Sequence, residues 1–116
     1  RGLGDVYKRQ AKDSGKLAIG VDSNQNYLHP GTMLTSMLKR VDLATYETFM
    51  DVKSGNFTSG VKVLGLAEGG VGWAFDEHNE ALITDVMKST INGLSDKVKS
   101  GAISVHDYMS DNSCPS

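Results

Sequence analysis

The sequence predicts an α/β fold, because short apolar strands alternate with helical segments along the chain. The apolar run Leu17–Val21 is typical of a buried strand, and the apolar stripe between residues 83 and 98 has helical spacing. Hydrophobic residues make up 39% of the 116 residues and charged residues 22%, which is typical of one folded domain.

The elements of the first half follow from the positions of glycine and proline. Residues 12–15 end a helix at Gly15, the strand at 17–21 follows, and the polar residues 22–32 form a loop around Pro30 and Gly31. Residues 33–39 fit either a short strand or the start of one long helix. We favour a strand at 33–39 and a helix at 42–54, capped by Asp42 and ended by Gly55.

The second half begins with two predicted strands, at 61–66 and 71–75. Their β-branched content favours this interpretation, and the turn residues 67–70 between them predict a bend or hairpin. Trp73 and Phe75 are expected to pack in the sheet.

A helix with one apolar side completes the predicted elements. We expect this side to pack on a core, with Thr84 or Asn79 capping the start of the helix and Gly101 closing its end. A short edge strand at 103–105 and a frayed end at 110–116 follow. The apolar side consists of Ile83, Met87, Ile91, Leu94 and Val98.

The two ends of the chain are expected to lie outside the folded part. Residues 1–10, RGLGDVYKRQ, show no apolar face and resemble a translated sequencing adaptor, so we expect them to be non-native. The chain begins with Arg1 instead of Met, so we also expect it to be incomplete at its amino end. Cys114, the single cysteine, allows no internal disulfide.

Composition and motifs argue against several classes of function. The net charge of −2 without a basic patch argues against a nucleic-acid partner. Gly65 and Gly70 have the spacing of a phosphate-binding loop, but the lysine and hydroxyl that must follow are absent. The chain contains no Gly-x-Ser-x-Gly elbow for a nucleophilic serine. We therefore predict no catalytic residue and no cofactor.

The three histidines are too far apart in sequence to suggest a metal site. His29, His78 and His106 have no second histidine or cysteine at the short spacing of zinc ligands. We therefore predict no metal site and treat these histidines as surface residues.

The stretch GVDSNQ raises the question of a ligand site, because polar side chains follow directly after an apolar strand. By pattern alone a turn is the favoured interpretation, since Asp, Ser and Asn are also turn residues. Asp22, at the strand end, could accept hydrogen bonds from two sugar hydroxyls, and a lysine such as Lys39 in the same crevice would keep it ionised. Lys39 taken alone is more typical of a solvated surface lysine.

Three separated blocks of the sequence together resemble one protein family. IGVDSNQ, PGTMLTSMLKRVDLATYETF and LGLAEGGVGWAFDEHN are similar to segments of the basic membrane protein family of bacterial substrate-binding lipoproteins. The best understood members of this family are purine nucleoside receptors that feed ABC importers. The resemblance implies a type I periplasmic-binding-protein fold, in which two doubly wound lobes close on a ligand. Residues 11–105 would be part of one lobe, mostly the second, and residues 106–116 a flexible tail.

The resemblance also implies roles for individual residues. Asp22 corresponds to the aspartate that binds ribose hydroxyls, and Lys39 to the lysine that reaches the same sugar. Asn24 stands where the motif commonly has a second aspartate. The GLAEGGVG block is typical of the family, and no ligand role is carried onto it.

The implied partners are a nucleoside, an ABC transporter permease and the missing amino-terminal lobe of the same protein. The intact parent would be anchored by a lipid to the extracytoplasmic side of the cell membrane. Two alternatives remain open: a cytosolic ligand-sensing regulatory domain of the same fold, and part of an α/β enzyme whose catalytic residues lie elsewhere.

Overall fold

Helices and strands are interspersed along the chain, and the strands form one mixed sheet, which confirms the predicted α/β class. The computed structural model describes residues 2–114. A short 3-10 turn, Asn26–Leu28, follows the first strand. The helices and strands are α1 (Gly2–Asp13), β1 (Ala18–Asp22), β2 (Met33–Lys39), α2 (Val41–Ser54), β3 (Val71–Trp73), α3 (Asp85–Lys99) and α4 (Tyr108–Asp111).

The three strands of the described residues form one mixed sheet in the order β1-β2-β3. β1 runs parallel to β2, with Asp22 opposite Leu38 and an irregularity after Ala18. β3 runs antiparallel to β2, with Lys39 opposite Val71. The carboxyl ends of β1 and β2 therefore meet at the same edge of the sheet.

The centre of the fold is small and unusually polar. Asn26, Ser36 and Asn79 are completely buried, whereas the buried apolar side chains are Met33, Ala74 and Ile83. The radius of gyration is 17.1 Å, against about 13 Å for a compact domain of this length. The elements are therefore not wrapped around one apolar core.

The prediction that strand 17–21 is buried was wrong, although the strand itself forms. The side chains of Leu17, Ile19 and Val21 are 55%, 57% and 49% exposed. Among the described residues, β1 pairs only with β2, so one edge of this strand has no hydrogen-bonded neighbour.

The region 33–54 confirms the strand-then-helix interpretation and excludes one continuous helix. β2 ends at Lys39 and α2 begins at Val41. The predicted Asp42 cap was wrong, because Arg40 occupies the N-cap and its guanidinium binds the Asp42 carboxylate at 2.9–3.2 Å. Gly55 ends α2 as predicted, in a left-handed conformation that glycine adopts without steric cost.

Residues 61–66 do not form the predicted strand, and the predicted hairpin is absent with it. Val61 and Val63 are 97% and 81% exposed, and no ladder within residues 2–114 includes them. A compact turn takes the place of the hairpin: the Gly70 N–H donates to the Gly65 carbonyl (2.9 Å), and the Gly65 N–H donates to Glu68 (2.8 Å). High β propensity does not produce a strand where no partner strand lies alongside.

The last helix begins and ends as predicted, but its apolar side is only partly covered. Thr84 is the N-cap, and its hydroxyl accepts from the Met87 N–H at 3.2 Å. Ile83 is buried just before the helix, whereas Leu94 is 48% exposed. Ser100 is the C-cap, and Gly101 follows it with a φ of 76°.

The regions at the two ends differ from what the sequence pattern indicated. Residues 103–105 form no strand, because they pair with no other strand of the described chain. α4 lies within the segment predicted to be a flexible tail, and Asp107 caps it. α1 includes most of the first ten residues, for which no period had been found. That residues 1–10 are non-native stays a prediction.

Candidate functional site

Asp22 ends β1 in a backbone conformation that is rare for a residue with a side chain. Its φ is 78°, and within the described residues Asn112 is the one other non-glycine residue with positive φ. Aspartate tolerates this left-handed region better than most residues, yet the conformation still requires support from its surroundings.

Lys39 lies at the carboxyl end of β2, and the structure brings it to Asp22. The Lys39 Nζ is 3.0 Å from the Asp22 Oδ1, and the two side chains are 58% and 67% exposed. An ion pair this exposed contributes little to stability. The pair therefore places two complementary charges at the sheet edge, where both remain accessible to a ligand.

The loop after Asp22 is held by hydrogen bonds at Gln25. The Gln25 backbone N–H donates to the Ser36 hydroxyl at 3.0 Å, and its side-chain amide donates to the Val21 carbonyl at 2.6 Å. Its side-chain oxygen accepts from the Lys8 ammonium of α1. The stretch GVDSNQ is thus a turn with an ordered geometry, and this turn presents the Asp22 carboxylate.

Sequence reasoning missed Asp76, the residue that connects this loop to the segment after β3. Its Oδ2 accepts from the Asn24 amide at 2.6 Å and from the Asn26 amide at 3.1 Å, and its Oδ1 accepts from the His78 N–H at 2.8 Å. Burial alone would raise the pKa of the Asp76 carboxyl, but these hydrogen bonds outweigh it and lower the pKa below its ordinary value. No sequence spacing signals the contacts with the two asparagines, because Asn24 and Asn26 are 52 and 50 residues away from Asp76.

A groove of about 970 Å³ runs beside the site, between α1, β1 and the loop after β1. Asp22, Ser23 and Gln25 line one part of it, and Tyr7 and Tyr27 contribute aromatic side chains. Lys39 does not line the groove, and it reaches the site through its ion pair with Asp22.

Trp73 lies in β3, whereas Phe75 lies beyond the end of this strand and is 41% exposed, so the prediction that both pack in the sheet was wrong for Phe75. The two rings pack against each other instead. Their ring centroids are 5.9 Å apart with an interplanar angle of 60°. The Lys88 ammonium lies 3.9 Å from the centroid of the Phe75 ring, which is a cation–π geometry. These contacts connect α3 to the end of β3.

His78 belongs to a group of three potential metal ligands, whereas His106 lies near one carboxylate, that of Asp111. Within the described residues, Asp76, Glu77 and His78 form a group whose ligand atoms lie within 4.8 Å of one another. Both Asp76 oxygens already accept hydrogen bonds within the protein. That the chain has no metal site stays a prediction.

None of the helices in the part of the chain that the structure describes has the length and apolar character needed to span a bilayer.

An α/β sheet with complementary charges at the carboxyl ends of two parallel strands is typical of ligand-binding proteins. Comparison with solved structures agrees with this class. The chain is similar to the crystal structure of an ABC transporter solute-binding protein from Aeropyrum pernix K1, with a TM-score of 0.63 and 26% identity. The match covers 87% of this chain and 37% of that protein. The expected periplasmic-binding-protein-like fold is thereby confirmed.

A family model described as "ABC transporter substrate-binding protein PnrA-like" matches residues 5–108. The chain belongs to this family, the Bmp family, which confirms the resemblance found in the sequence. The family is one of substrate-binding proteins and not a class of enzymes.

Curated relatives carry names that agree with the family. Basic membrane protein A of Borreliella burgdorferi is 33% identical over 99 residues, which are 84% of this chain and 28% of that protein. An uncharacterized lipoprotein of Pyrococcus furiosus is 39% identical over 71 residues, 60% of this chain and 18% of that protein. The chain therefore spans less than a third of the length of these relatives.

Proposed function

We propose that this chain is the carboxyl-terminal part of an extracytoplasmic solute-binding protein that captures a nucleoside, of the purine type, for an ABC importer. The observation that carries the proposal is the exposed Asp22–Lys39 pair at the carboxyl ends of two parallel strands. The family description, which includes the words PnrA-like and substrate-binding, supports the same class of function.

The chemistry of the pair suits a sugar with neighbouring hydroxyl groups. An ionised carboxylate has only acceptor sites, so Asp22 can accept from two adjacent hydroxyls of a ribose at once. The Lys39 ammonium has three donors, so it can stay paired with Asp22 and still donate to a sugar oxygen. Each such charge-assisted bond is worth about 1.5–3 kcal/mol once water is excluded.

Exclusion of water requires a second wall, because Asp22 and Lys39 are more than half exposed in this chain. In the proposed function the amino-terminal lobe closes over the ligand and supplies that wall. Closure buries the sugar, strengthens its bonds to the two charged groups, and presents a closed shape to the permease.

The cellular setting is part of the same proposal. Relatives named as lipoproteins support a lipid anchor on the parent protein, at the extracytoplasmic side of the cell membrane. That position is where an importer receives its substrate from a binding protein.

Titration calorimetry on the full-length protein tests the proposal. We expect Asp22→Ala to weaken nucleoside affinity at least tenfold, which corresponds to about 1.4 kcal/mol or more. Asp42→Ala is the matched control: it also removes an exposed, ion-paired carboxylate, but one that lies in α2 and is paired with Arg40. Equal affinities of Asp22→Ala and the wild type would refute the role of Asp22, and a wild-type protein that binds no nucleoside would refute the ligand class.

A further inference from the structure

The loop that follows Asp22 is attached to a distant part of the chain through one carboxylate. Oδ2 of Asp76 accepts from the side-chain amides of Asn24 (2.6 Å) and Asn26 (3.1 Å). We call Asn24, Asn26 and Asp76 the loop clamp. The clamp connects the residues directly after β1 with the residues directly after β3.

The Asn26 end of the clamp is anchored in the buried centre of the fold. Asn26 is completely buried, and its Oδ1 accepts from the Ser36 hydroxyl at 2.9 Å. The same hydroxyl accepts from the Gln25 N–H at 3.0 Å. The loop is therefore bonded to β2, through Ser36, as well as to Asp76.

The Asp76 end of the clamp is anchored equally well. The Asp76 N–H donates to the Asn79 Oδ1 at 2.9 Å, and Asn79 is completely buried. The Asn79 amide in turn donates to the carbonyls of Leu34 (2.8 Å) and Ala74 (3.0 Å). The Asp76 backbone is thereby connected to β2 and to the end of β3 through contacts that do not involve the loop.

The donors around Asp76 require a carboxylate. Three N–H donors point at its two oxygens, and a group that only accepts is needed to satisfy all three. An asparagine at position 76 keeps one acceptor for the His78 N–H, but its amide group then faces the amides of Asn24 and Asn26. Donors would face donors, and both bonds of the clamp would be lost.

We propose that Asp76 is a positioning residue for ligand binding: through Asn24 and Asn26 it holds the loop in the one conformation that turns Asp22 toward Lys39. This inference rests on the proposed function, because it assigns Asp76 to the ligand site of that function. The positive φ of Asp22 supports it, since a strained residue persists only where its surroundings hold it. Asp76 itself does not contact the ligand.

Two isosteric variants of the full-length protein test the clamp from its two sides. Asp76→Asn turns the acceptor of the clamp into a donor. Asn24→Asp places a second carboxylate where an amide now lies 2.6 Å from Asp76. Glu77 and His78, the adjacent titratable groups, stay unchanged in both. Asp42→Asn is the matched control, because it makes the same chemical change in an exposed ion pair of α2.

The first measurement is backbone hydrogen exchange at pH 7. We expect Asp76→Asn and Asn24→Asp to speed exchange at Gln25 and Asn26 at least tenfold, while α3 and the Asp42→Asn control exchange like the wild type. Exchange at Gln25 and Asn26 that equals the wild type would overturn the inference. An equal increase in α3 would also overturn it, because the effect would then be general destabilisation.

The pH profile separates positioning from a general structural role. In Asn24→Asp the two carboxylates repel when both are charged, and they share a proton, and so a hydrogen bond, at lower pH. We therefore compare the exchange rates of Gln25 and Asn26 in this variant with those of the wild type at the same pH. We expect the ratio of the two rates to fall toward one as the pH is lowered from 7 to 5. A ratio of exchange rates that does not change with pH would contradict the contact between residue 24 and Asp76.

Nucleoside affinity gives the last readout. We expect Asp76→Asn to weaken binding at least fivefold, and a faster-exchanging loop with unchanged affinity would overturn the positioning role. If the wild type binds no nucleoside, the proposed function fails, whereas the exchange measurement still decides whether Asp76 holds the loop.

Discussion

Gly20 offers the sharpest test of how the sheet and the ligand loop fit together. A β-carbon at this position would lie 2.6 Å from the Ser36 Oγ and 3.1 Å from the β-carbons of Ser36 and Gln25. The backbone of Gly20 does not have a positive φ, so the effect of Gly20→Ala would come from the lost space alone. The added methyl group would have to displace the Ser36 hydroxyl.

The expected loss in the free energy of unfolding follows from the two hydrogen bonds of the Ser36 hydroxyl. It accepts from the Gln25 N–H and donates to the buried Asn26, at 3.0 and 2.9 Å. Leaving a buried polar group without a partner costs about 1–3 kcal/mol, and forcing an extra methyl group into a packed site costs about 1–3 kcal/mol. Since the two effects overlap, we expect Gly20→Ala to lower the free energy of unfolding by about 2–4 kcal/mol.

The assay is urea unfolding of the full-length protein, with Gly72→Ala in β3 as the control. A β-carbon at Gly72 would meet no atom within 4 Å, so its effect should stay within about 0.5 kcal/mol. Adding Ser36→Gly to Gly20→Ala removes the atom that is displaced, and the double variant should be less destabilised than the sum of the single variants. If Gly20→Ala is as stable as Gly72→Ala, or if the two single effects simply add, the reasoning is refuted.

Two further predictions concern pH and the isolated chain. The pKa of Asp76 is lower in the folded protein than its ordinary value of 3.8. The ionised Asp76 carboxylate therefore stabilises the folded protein above about pH 4, and this stabilisation is lost as the pH falls through the pKa of the folded protein. The difference in unfolding free energy between the wild type and Asp76→Asn should therefore shrink from pH 6 to pH 2.5, and a constant difference would contradict this. The 116 residues alone should bind nucleosides weakly or not at all, because one wall of the cleft is present; low-micromolar binding by calorimetry would contradict this.

The starts and ends of several elements could be predicted because they depend on local chemistry. Gly15 and Gly55 follow the first two helices with φ values of 61° and 73°, conformations that side chains rarely adopt. Thr84 caps the last long helix through its own hydroxyl. Such signals act over three or four residues, so a single sequence contains them completely.

The strand predicted at 61–66 shows where local signals are insufficient. Alternating β-branched residues favour an extended chain, but a strand also needs a neighbour with free hydrogen-bonding groups. Nothing in the described chain pairs with residues 61–66, and Val61 remains almost fully exposed. The burial of β1 was mispredicted for a related reason. An apolar strand sequence favours burial, but it does not show which other segment of the chain packs against the strand.

For the site, the residue types and their order along the chain could be predicted from local patterns: a carboxylate at the end of one strand, a lysine at the end of the next, and the motifs that identify the family. Folding brings the Lys39 and Asp22 side chains to 3.0 Å from each other, and this distance depends on the parallel register of β1 and β2, which local patterns do not contain. The hydrogen bonds from Asn24 and Asn26 to Asp76 also arise only on folding, since they join residues 50 or more positions apart. The physical reason is the range of the interactions: caps and turns are local, whereas register, burial and long-range hydrogen bonds depend on which distant segments come together.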